Sequence, residues 1–149
     1  MLFLRRKEID KSILVWKLVK DINIMTENEL SKIVFEAGLK IHKKLGPGLF
    51  ESVYEECMFY ELNKIGLKVE KQKVLPIIYE ELKIDNAFRL DMIVENKIIL
   101  EIKAQEFINP SHKAQLLTYL KMTDCKLGML INFNEETFKA GVTRIVNGL

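Results

Sequence analysis

The chain has 149 residues, of which 48% are hydrophobic and 30% are charged. This length and composition are those of one folded domain with an ordinary core, and they exclude a disordered or fibrous protein. The net charge of +2 hides an asymmetry, because residues 1–24 carry +3 whereas residues 25–149 hold 17 basic and 18 acidic groups. A body so close to neutral excludes binding of nucleic acid by bulk charge, and any such binding requires a local patch and a metal.

Residues 1–25 form a leader with two interpretations that the sequence leaves open. Its apolar runs are too short to span a bilayer, and its first basic residues follow an apolar run, unlike those of a secretory signal. One interpretation is a short amphipathic helix. The other is an extension upstream of a native start at Met25.

The two cysteines, Cys57 and Cys125, lie far apart and match no zinc or redox spacing. Both occupy apolar contexts, which is typical of reduced thiols. We therefore expect a cytoplasmic protein with no membrane partner.

Two helices are predicted after the leader. Thr26 and Glu29 form a capping box, and apolar residues recur behind them at helical spacing, which predicts a helix over 27–44. The Gly-Pro-Gly turn at 46–48 ends it, and a second helix is predicted over 49–65.

The rest of the chain is predicted to form strands around one more helix. Residues 69–79 form a strand in which Pro76 requires an edge position or a bulge, and residues 82–84 form a short return strand. The remaining elements are a hairpin at 89–103, a helix from Asn109-Pro110 to Thr123, a strand at 126–133 and, after a helical turn, a candidate strand at 142–146. The order α-α-β-β-β-α-β predicts a single α/β domain over 26–149.

The hairpin carries Asp91, Glu101 and Lys103 within otherwise apolar strands. Burying an ionised side chain without a partner costs several kcal/mol, so these charges are expected to have a use. Side chains alternate along a strand, which defines two predicted faces. One face holds Phe88, Leu90, Met92 and Val94, and the other holds Arg89, Asp91 and Ile93.

The turn of the hairpin decides whether the two carboxylates meet. A two-residue turn at Asn96-Lys97 pairs Asp91 with Ile102 and puts the carboxylates on opposite faces. A three-residue loop at 95–97 pairs Asp91 with Glu101 instead. We predict the three-residue loop, and a structure with the shorter turn would remove the shared site.

Asp91, Glu101 and Lys103 suit the hydrolysis of a phosphodiester. Two carboxylates from adjacent strands can share a hard divalent cation such as Mg²⁺ or Mn²⁺. A lysine two residues beyond the glutamate can approach a metal-bound water or a phosphate oxygen and offset developing charge. The alternative is a solvated strand face on which Lys103 pairs with a carboxylate, and this pattern alone does not decide between the two.

Together with residues elsewhere, the hairpin resembles the PD-(D/E)XK nuclease superfamily and, within it, the GxxExxY protein family. The resemblance covers roughly residues 27–149 and rests on motifs in the same order along the chain. They are Gly48-x-x-Glu51-x-x-Tyr54, Arg89-Leu90-Asp91, Glu101-Ile102-Lys103, Ala114-Gln115-Leu116-Leu117-Thr118-Tyr119-Leu120 and Ile131-Asn132-Phe133-Asn134. Each motif is weak alone, and the set is specific.

The resemblance implies a restriction-endonuclease-like fold with a central mixed sheet flanked by helices. It also implies a metal shell that Glu51 completes directly or through water, and a Gln-x-x-x-Tyr pair that orients water or a backbone phosphate. The implied metal ligands are Asp91, Glu101 and Glu51, and the implied catalytic residues are Lys103, Asp91, Glu101, Gln115 and Tyr119.

The implied activity is Mg²⁺- or Mn²⁺-dependent cleavage of nucleic acid, with DNA expected before RNA. Targeting is expected to come from a homo-oligomer or a protein partner, because the body is near neutral. The residues expected to bind nucleic acid are Lys43, Lys44, Arg89, Lys113 and Lys121. Two other interpretations stay open: a non-catalytic module that binds nucleic acid or a protein partner, and a purely structural subunit.

Overall fold

The computed structural model describes residues 24–149, so nearly all of the predicted leader lies outside the described residues. The elements are α1 (Glu27–Leu45), α2 (Glu51–Lys64), β1 (Val69–Tyr79), β2 (Leu82–Val94), β3 (Ile98–Lys103), α3 (Pro110–Thr123), β4 (Leu127–Asn132), a 3₁₀ turn (Lys139–Gly141) and β5 (Val142–Val146). The predicted order is confirmed, and the candidate last strand completes it. None of the helices in this part of the chain is long and apolar enough to cross a bilayer.

Local sequence signals set the helix ends. The Glu29 N–H donates to the Thr26 hydroxyl at 3.2 Å, and the Thr26 N–H donates to the Glu29 carboxylate at 3.0 Å, which is the predicted capping box. Asn109 caps α3, also as predicted. α2 begins only at Glu51, two residues later than predicted.

The five strands form one mixed sheet in the order β1-β2-β3-β4-β5. β3 and β4 are parallel and are joined through α3, whereas the other neighbouring strands are antiparallel. β1 is an edge strand whose register shifts between Leu75 and Ile77, as predicted from Pro76. The return strand predicted at 82–84 is not separate, because it is the start of the continuous thirteen-residue β2.

Helices cover both faces of this sheet. α1 and α2 pack on the face that carries Met92 and Leu100, and α3 packs on the face that carries Ile93 and Ile99. The predicted central mixed sheet flanked by helices is confirmed. It places β3, which carries Glu101 and Lys103, against both α2 and α3, the helices that carry Glu51, Gln115 and Tyr119.

The predicted alternation along β2 is wrong at one point. Met92 faces α1 and α2, but Leu90 belongs to the cluster under α3, so β2 changes face at Asp91. On β1, Gln72 has a φ of 54° and no partner in the ladder, so β1 is irregular at the same level. The residues predicted to share one face are divided in consequence: Phe88 and Leu90 lie under α3, and Met92 and Val94 lie under α1 and α2.

Candidate functional site

The hairpin between β2 and β3 has the predicted three-residue loop. Met92 pairs with Leu100, and residues 95–97 form the loop. The same register puts Asp91 opposite Glu101. This prediction is confirmed, and the shared site depended on it.

The carboxylates of Asp91 and Glu101 each bond to the other's strand. The Ile102 N–H donates to Asp91 Oδ2 at 2.8 Å, and the Asp91 N–H donates to Glu101 Oε1 at 3.4 Å. The backbone ladder between the two strands ends one pair earlier, at Met92 and Leu100. Side-chain oxygens therefore replace backbone oxygens at this level and hold the two carboxylates between the strands.

Glu101 is a buried acid next to a second acid. Only 5% of the surface of Glu101 is exposed. Burial and, after it, the charge of Asp91 raise the pKa of the Glu101 carboxyl to about 8. A solvated strand face would leave the Glu101 side chain exposed, so that alternative does not describe this hairpin.

Lys103 stands at the end of β3, half-buried, two residues beyond Glu101. Its charge acts on Glu51, Glu101 and His112. Among residues 24–149, however, its ammonium takes part in no ion pair within 4.0 Å. The alternative in which Lys103 pairs with a carboxylate is thus not what the structure contains.

Asn132 holds the backbone just after Lys103. Its side chain is buried at the end of β4, where Oδ1 accepts from the Gln105 N–H at 3.1 Å and Nδ2 donates to the Gln105 carbonyl at 2.8 Å. The amide therefore pairs with the backbone as a neighbouring strand would. Sequence reasoning assigned no role to this residue, although an amide at the end of a strand covered on both faces was a usable signal.

Glu51 reaches the same region from α2, of which it is the first residue. The backbone N–H of Ala104, the residue after β3, lowers the pKa of the Glu51 carboxyl. Burial raises the pKa of Glu51, Lys103 opposes that shift, and Asp91 adds to it. The charge of Asp91 thus acts on both glutamates, Glu51 from α2 and Glu101 from β3.

Tyr54 holds the turn that precedes Glu51. Its hydroxyl donates to the Gly46 carbonyl at 2.6 Å and accepts from the Leu49 N–H at 3.1 Å. The ring is fully buried and stacks on Phe133 with centroids 4.5 Å apart. Glu51 and Tyr54 lie one helical turn apart and are therefore neighbours on the helix surface. Tyr54 can thus stabilise the turn that precedes Glu51.

α3 brings one of its two predicted residues to the carboxylates. Tyr119 is buried, stacks on Phe88 with centroids 4.9 Å apart, and has a phenol pKa raised by burial and by the charges of Glu101 and Asp91. Gln115, one turn earlier, is exposed, and its side chain forms no hydrogen bond with residues 24–149.

A family model described as the PD-(D/E)XK nuclease superfamily matches residues 28–145. The chain belongs to this superfamily. Its members are typically nucleases, and they generally use divalent metals such as Mg²⁺ or Mn²⁺. Searches of curated proteins and of solved structures gave no match. The predicted superfamily is confirmed, and the narrower GxxExxY family stays a prediction.

The acids fit the open kind of metal site that such nucleases need. Within residues 24–149, no three His, Cys, Asp or Glu side chains are grouped closely enough to hold a metal by themselves. Asp91 and Glu101 instead form a pair of hard oxygen donors, and Glu51 lies nearby. Because Mg²⁺ is usually held by one or two carboxylates together with waters and substrate oxygens, this donor set suits it.

The basic residues expected to bind nucleic acid do not form one group. Lys43 and Lys44 are exposed in the last turn of α1, just before the turn that leads to Glu51. Lys113 and Lys121 lie in the first and last turns of α3, roughly 12 Å apart along the helix.

Arg89 is also exposed, and its predicted face is wrong. Because β2 changes face at Asp91, alternation from Leu90 puts Arg89 on the face opposite to that of Ile93. Among residues 24–149, Arg89 forms no hydrogen bond to Asp91, so it does not hold that carboxylate in place.

His112 is a residue near the site that sequence reasoning missed. It lies three residues before Gln115 and seven before Tyr119, and this spacing repeats on one face of a helix. That periodicity was the signal by which it could have been found.

Proposed function

We propose that this protein is a metal-dependent nuclease that hydrolyses phosphodiester bonds, with DNA as the expected substrate before RNA. Within the superfamily we assign it to the GxxExxY family, on the residues from Gly48 to Tyr54. The observation that carries the proposal is the pair of converging carboxylates, Asp91 and Glu101, in which burial and the neighbouring acid raise the pKa of Glu101.

The proposed roles follow from the chemistry of the side chains. Asp91 and Glu101 are the proposed metal ligands, and Glu51 completes the shell directly or through water. A divalent cation bound there supplies polarisation of the phosphate and a water of lowered pKa. The ammonium of Lys103, without an ion pair among the described residues, offsets negative charge on the phosphate.

α3 supplies the remaining proposed catalytic residues. The buried phenol of Tyr119 keeps its proton, because burial and two nearby carboxylates raise its pKa, so it can donate a hydrogen bond to water or phosphate. Gln115, exposed one turn earlier, is proposed to orient the same water or a backbone phosphate.

Binding of the nucleic-acid backbone is assigned to five exposed basic residues, although they do not form one group. They are Lys43, Lys44, Arg89, Lys113 and Lys121. Since the charge of residues 25–149 is near neutral, we propose that a homo-oligomer or a protein partner contributes to targeting. The proposed nuclease domain is residues 26–149.

Cleavage by purified protein tests the proposal. Matched single- and double-stranded DNA and RNA are incubated with Mg²⁺, Mn²⁺ or EDTA, and the variants are Asp91→Asn and Lys103→Met. Glu61→Gln is a control, because Glu61 is an acid of α2 that pairs with Lys40 instead of facing the site. Metal-dependent cleavage that both site variants lose and the control keeps is expected. Cleavage that survives both substitutions would assign the activity to a contaminant or to another site.

A non-catalytic binding module is the second candidate, favoured by the lack of three grouped metal-ligand side chains among residues 24–149. A pure binder gains nothing from carboxylates that face a phosphate backbone unless a cation lies between them. Titration calorimetry with Mg²⁺ and Mn²⁺ separates the two. Binding that Asp91→Asn abolishes favours the nuclease, and no binding to the wild type favours the module.

A further inference from the structure

Two phenylalanines expose their rings on the loops beside the candidate site. Phe50 is 83% exposed and Phe107 is 77% exposed, and these are the two largest exposed fractions among the large apolar side chains of residues 24–149. Neither ring stacks on another aromatic side chain of that part of the chain. A single exposed apolar side chain is ordinary, but here the two most exposed ones both lie next to site residues. Burial in the core does not explain either ring.

Phe50 immediately precedes Glu51 and is the N-cap residue of α2. Helices favour Ser, Thr, Asp or Asn at this position, because a side-chain oxygen accepts a hydrogen bond from the first turn. Phe50 provides no such bond, so helix capping does not explain it either. Its backbone is nevertheless held in place, since the Tyr54 hydroxyl bonds to both Gly46 and Leu49 in the turn before it.

Phe107 lies four residues after Lys103, in the loop that joins β3 to α3. The start of this loop is tied to β4, because the Asn132 side chain bonds to the N–H and the carbonyl of Gln105 at 3.1 Å and 2.8 Å. The loop ends at Asn109, which caps α3. The backbone is therefore anchored on both sides of Phe107 while its ring stays exposed.

Measured contacts bring the two loops to the same end of the sheet. Tyr54, in the first turn of α2, stacks on Phe133 with ring centroids 4.5 Å apart. The Phe133 N–H in turn donates to the Lys103 carbonyl at 2.9 Å. The helix turn that follows Phe50 is thus joined through Phe133 to the last residue of β3, after which the loop of Phe107 begins.

Exposed lysines accompany each ring. Lys43 and Lys44 lie in the last turn of α1, just before the turn that leads to Phe50, and Lys113 lies in the first turn of α3, just after the loop of Phe107. Among residues 24–149 none of the three forms an ion pair within 4.0 Å. Proteins that bind single strands combine cations, which contact the backbone, with aromatic rings on which bases stack. The bases inside a duplex are already stacked on one another, so such rings favour an unpaired strand.

We propose that the substrate is single-stranded at the site, and that Phe50 and Phe107 each stack on an unpaired base of the strand that is cleaved. This inference rests on the proposed nuclease function and adds its substrate class. Stacking supplies affinity that the near-neutral charge of residues 25–149 does not supply. Because every base has an aromatic face, the two rings bind a strand of any sequence.

Fluorescence anisotropy of the full chain in EDTA tests the stacking without any need for cleavage. The probe is fluorescein-labelled octathymidylate, and the control ligand is an abasic strand with the same number of phosphates. We expect Phe50→Ala and Phe107→Ala each to weaken the binding of octathymidylate about tenfold, a typical loss for one stacked base, and to leave the binding of the abasic strand unchanged. Ile78→Ala is the matched control, because Ile78 is an exposed apolar residue of β1 outside both loops.

Two further substitutions at each position separate stacking from simple apolar contact. Tyr keeps an aromatic face, whereas Leu is apolar without one. We expect Phe50→Tyr and Phe107→Tyr to keep the affinity for octathymidylate within about twofold, and the two Leu variants to lose about as much as the Ala variants. Since both positions are exposed, all of these variants should fold with a nearly unchanged Tm, which thermal melts check.

Each outcome decides the inference. Absence of octathymidylate binding overturns it, as does an unchanged affinity in either Ala variant, full affinity in the Leu variants or an equal loss on the abasic strand. A loss of self-association without a loss of octathymidylate binding also overturns it, because the rings would then belong to a protein interface.

The inference and the proposed function fail in different ways. If Asp91→Asn cleaves like the wild type, the proposed nuclease site fails, whereas the anisotropy still reports separately on stacking. If duplex DNA is cleaved as fast as a single strand and both Ala variants cleave like the wild type, the nuclease function stands and the inference is overturned.

Discussion

Acidic residues occupy two opposite environments in this protein. On the surface of α1, α2 and β1 they pair with lysines, as Glu61 does with Lys40 at 2.9 Å and Glu70 with Lys73 at 3.1 Å. The hydrogen bonds from those lysines lower the pKa of both glutamates. In the candidate site Glu101 faces another acid, and its pKa rises to about 8.

The two environments differ in how an ionised acid affects the stability of the fold. A surface glutamate with a lysine partner needs no further explanation, and its contribution to stability is small. Two adjacent carboxylates, one of them buried, are expected to destabilise the metal-free fold when both are ionised, and the charge of Lys103 opposes this effect at Glu101. A cation bound between the two carboxylates would offset their repulsion. Substitutions in the candidate site and at the surface should therefore differ in their effects on activity and on stability.

The largest expected effect is on activity. Glu101→Gln removes one proposed metal ligand and should lower metal-dependent cleavage about a thousandfold, since bound metal is worth several kcal/mol of transition-state stabilisation. Glu61→Gln removes an acid of the same type from the surface and should leave the rate unchanged. Single-turnover cleavage at saturating Mg²⁺ measures both. Equal rates for the two variants would contradict the proposal that Glu101 is needed for cleavage and Glu61 is not.

The same substitution should have the opposite effect on stability. The folded pKa of Glu101, about 8, lies above the ordinary 4.5. Between these values the folded protein holds a proton that the unfolded chain has lost, so stability falls as pH rises from about 4.5 to about 8. In EDTA at pH 8, Glu101→Gln should therefore raise the free energy of unfolding by on the order of a few kcal/mol. Urea denaturation at pH 5 and pH 8 checks this, and a gain independent of pH would contradict it.

Metal should reverse that pH dependence in the wild type. Binding of Mg²⁺ requires ionised Glu101, so the rise in Tm on adding Mg²⁺ should grow as pH increases from 6 to 8. Asp91→Asn should show no such rise at any pH. The measurement is Tm with Mg²⁺ minus Tm with EDTA, and a pH-independent difference would place the cation elsewhere.

A smaller effect is expected where the fold supports the site from a distance. Tyr54→Phe removes the hydroxyl that bonds to Gly46 and Leu49 and should lower the free energy of unfolding by about 1–3 kcal/mol, because two backbone groups lose their partner. Cleavage should also fall, because the turn before Glu51 loosens. Tyr60→Phe on the exposed side of α2 is the matched control, and equal stability of both variants would contradict the role given to Tyr54.

The smallest effect belongs to the surface pair itself. Glu61→Gln should leave Tm nearly unchanged at moderate ionic strength, because a partly exposed ion pair at the surface is screened by solvent and salt. Thermal melts at low and moderate salt measure it. A Tm loss that persists at moderate salt would contradict this, because it would show that the surface ion pair contributes measurably to the stability of the fold.

Local signals in the sequence predicted most of the framework. The capping box at Thr26, Asn109-Pro110 before α3, and Pro76 on an edge strand each reflect interactions between residues close in sequence, which a sequence pattern can express. The register of the hairpin was predicted in another way, because the sequence allows two loop lengths and the three-residue loop was preferred as the one that brings Asp91 and Glu101 together.

The sequence by itself determined the order of elements and, through its motifs, the superfamily. Only the tertiary structure decided the length of the hairpin loop, how deeply Glu101 is buried, and that β2 changes face at Asp91. The physical reason is the range of the interactions. Caps, turns and strand pairing act over a few residues, whereas burial and the approach of α3 to β3 depend on segments that meet only when the whole sheet is covered on both faces.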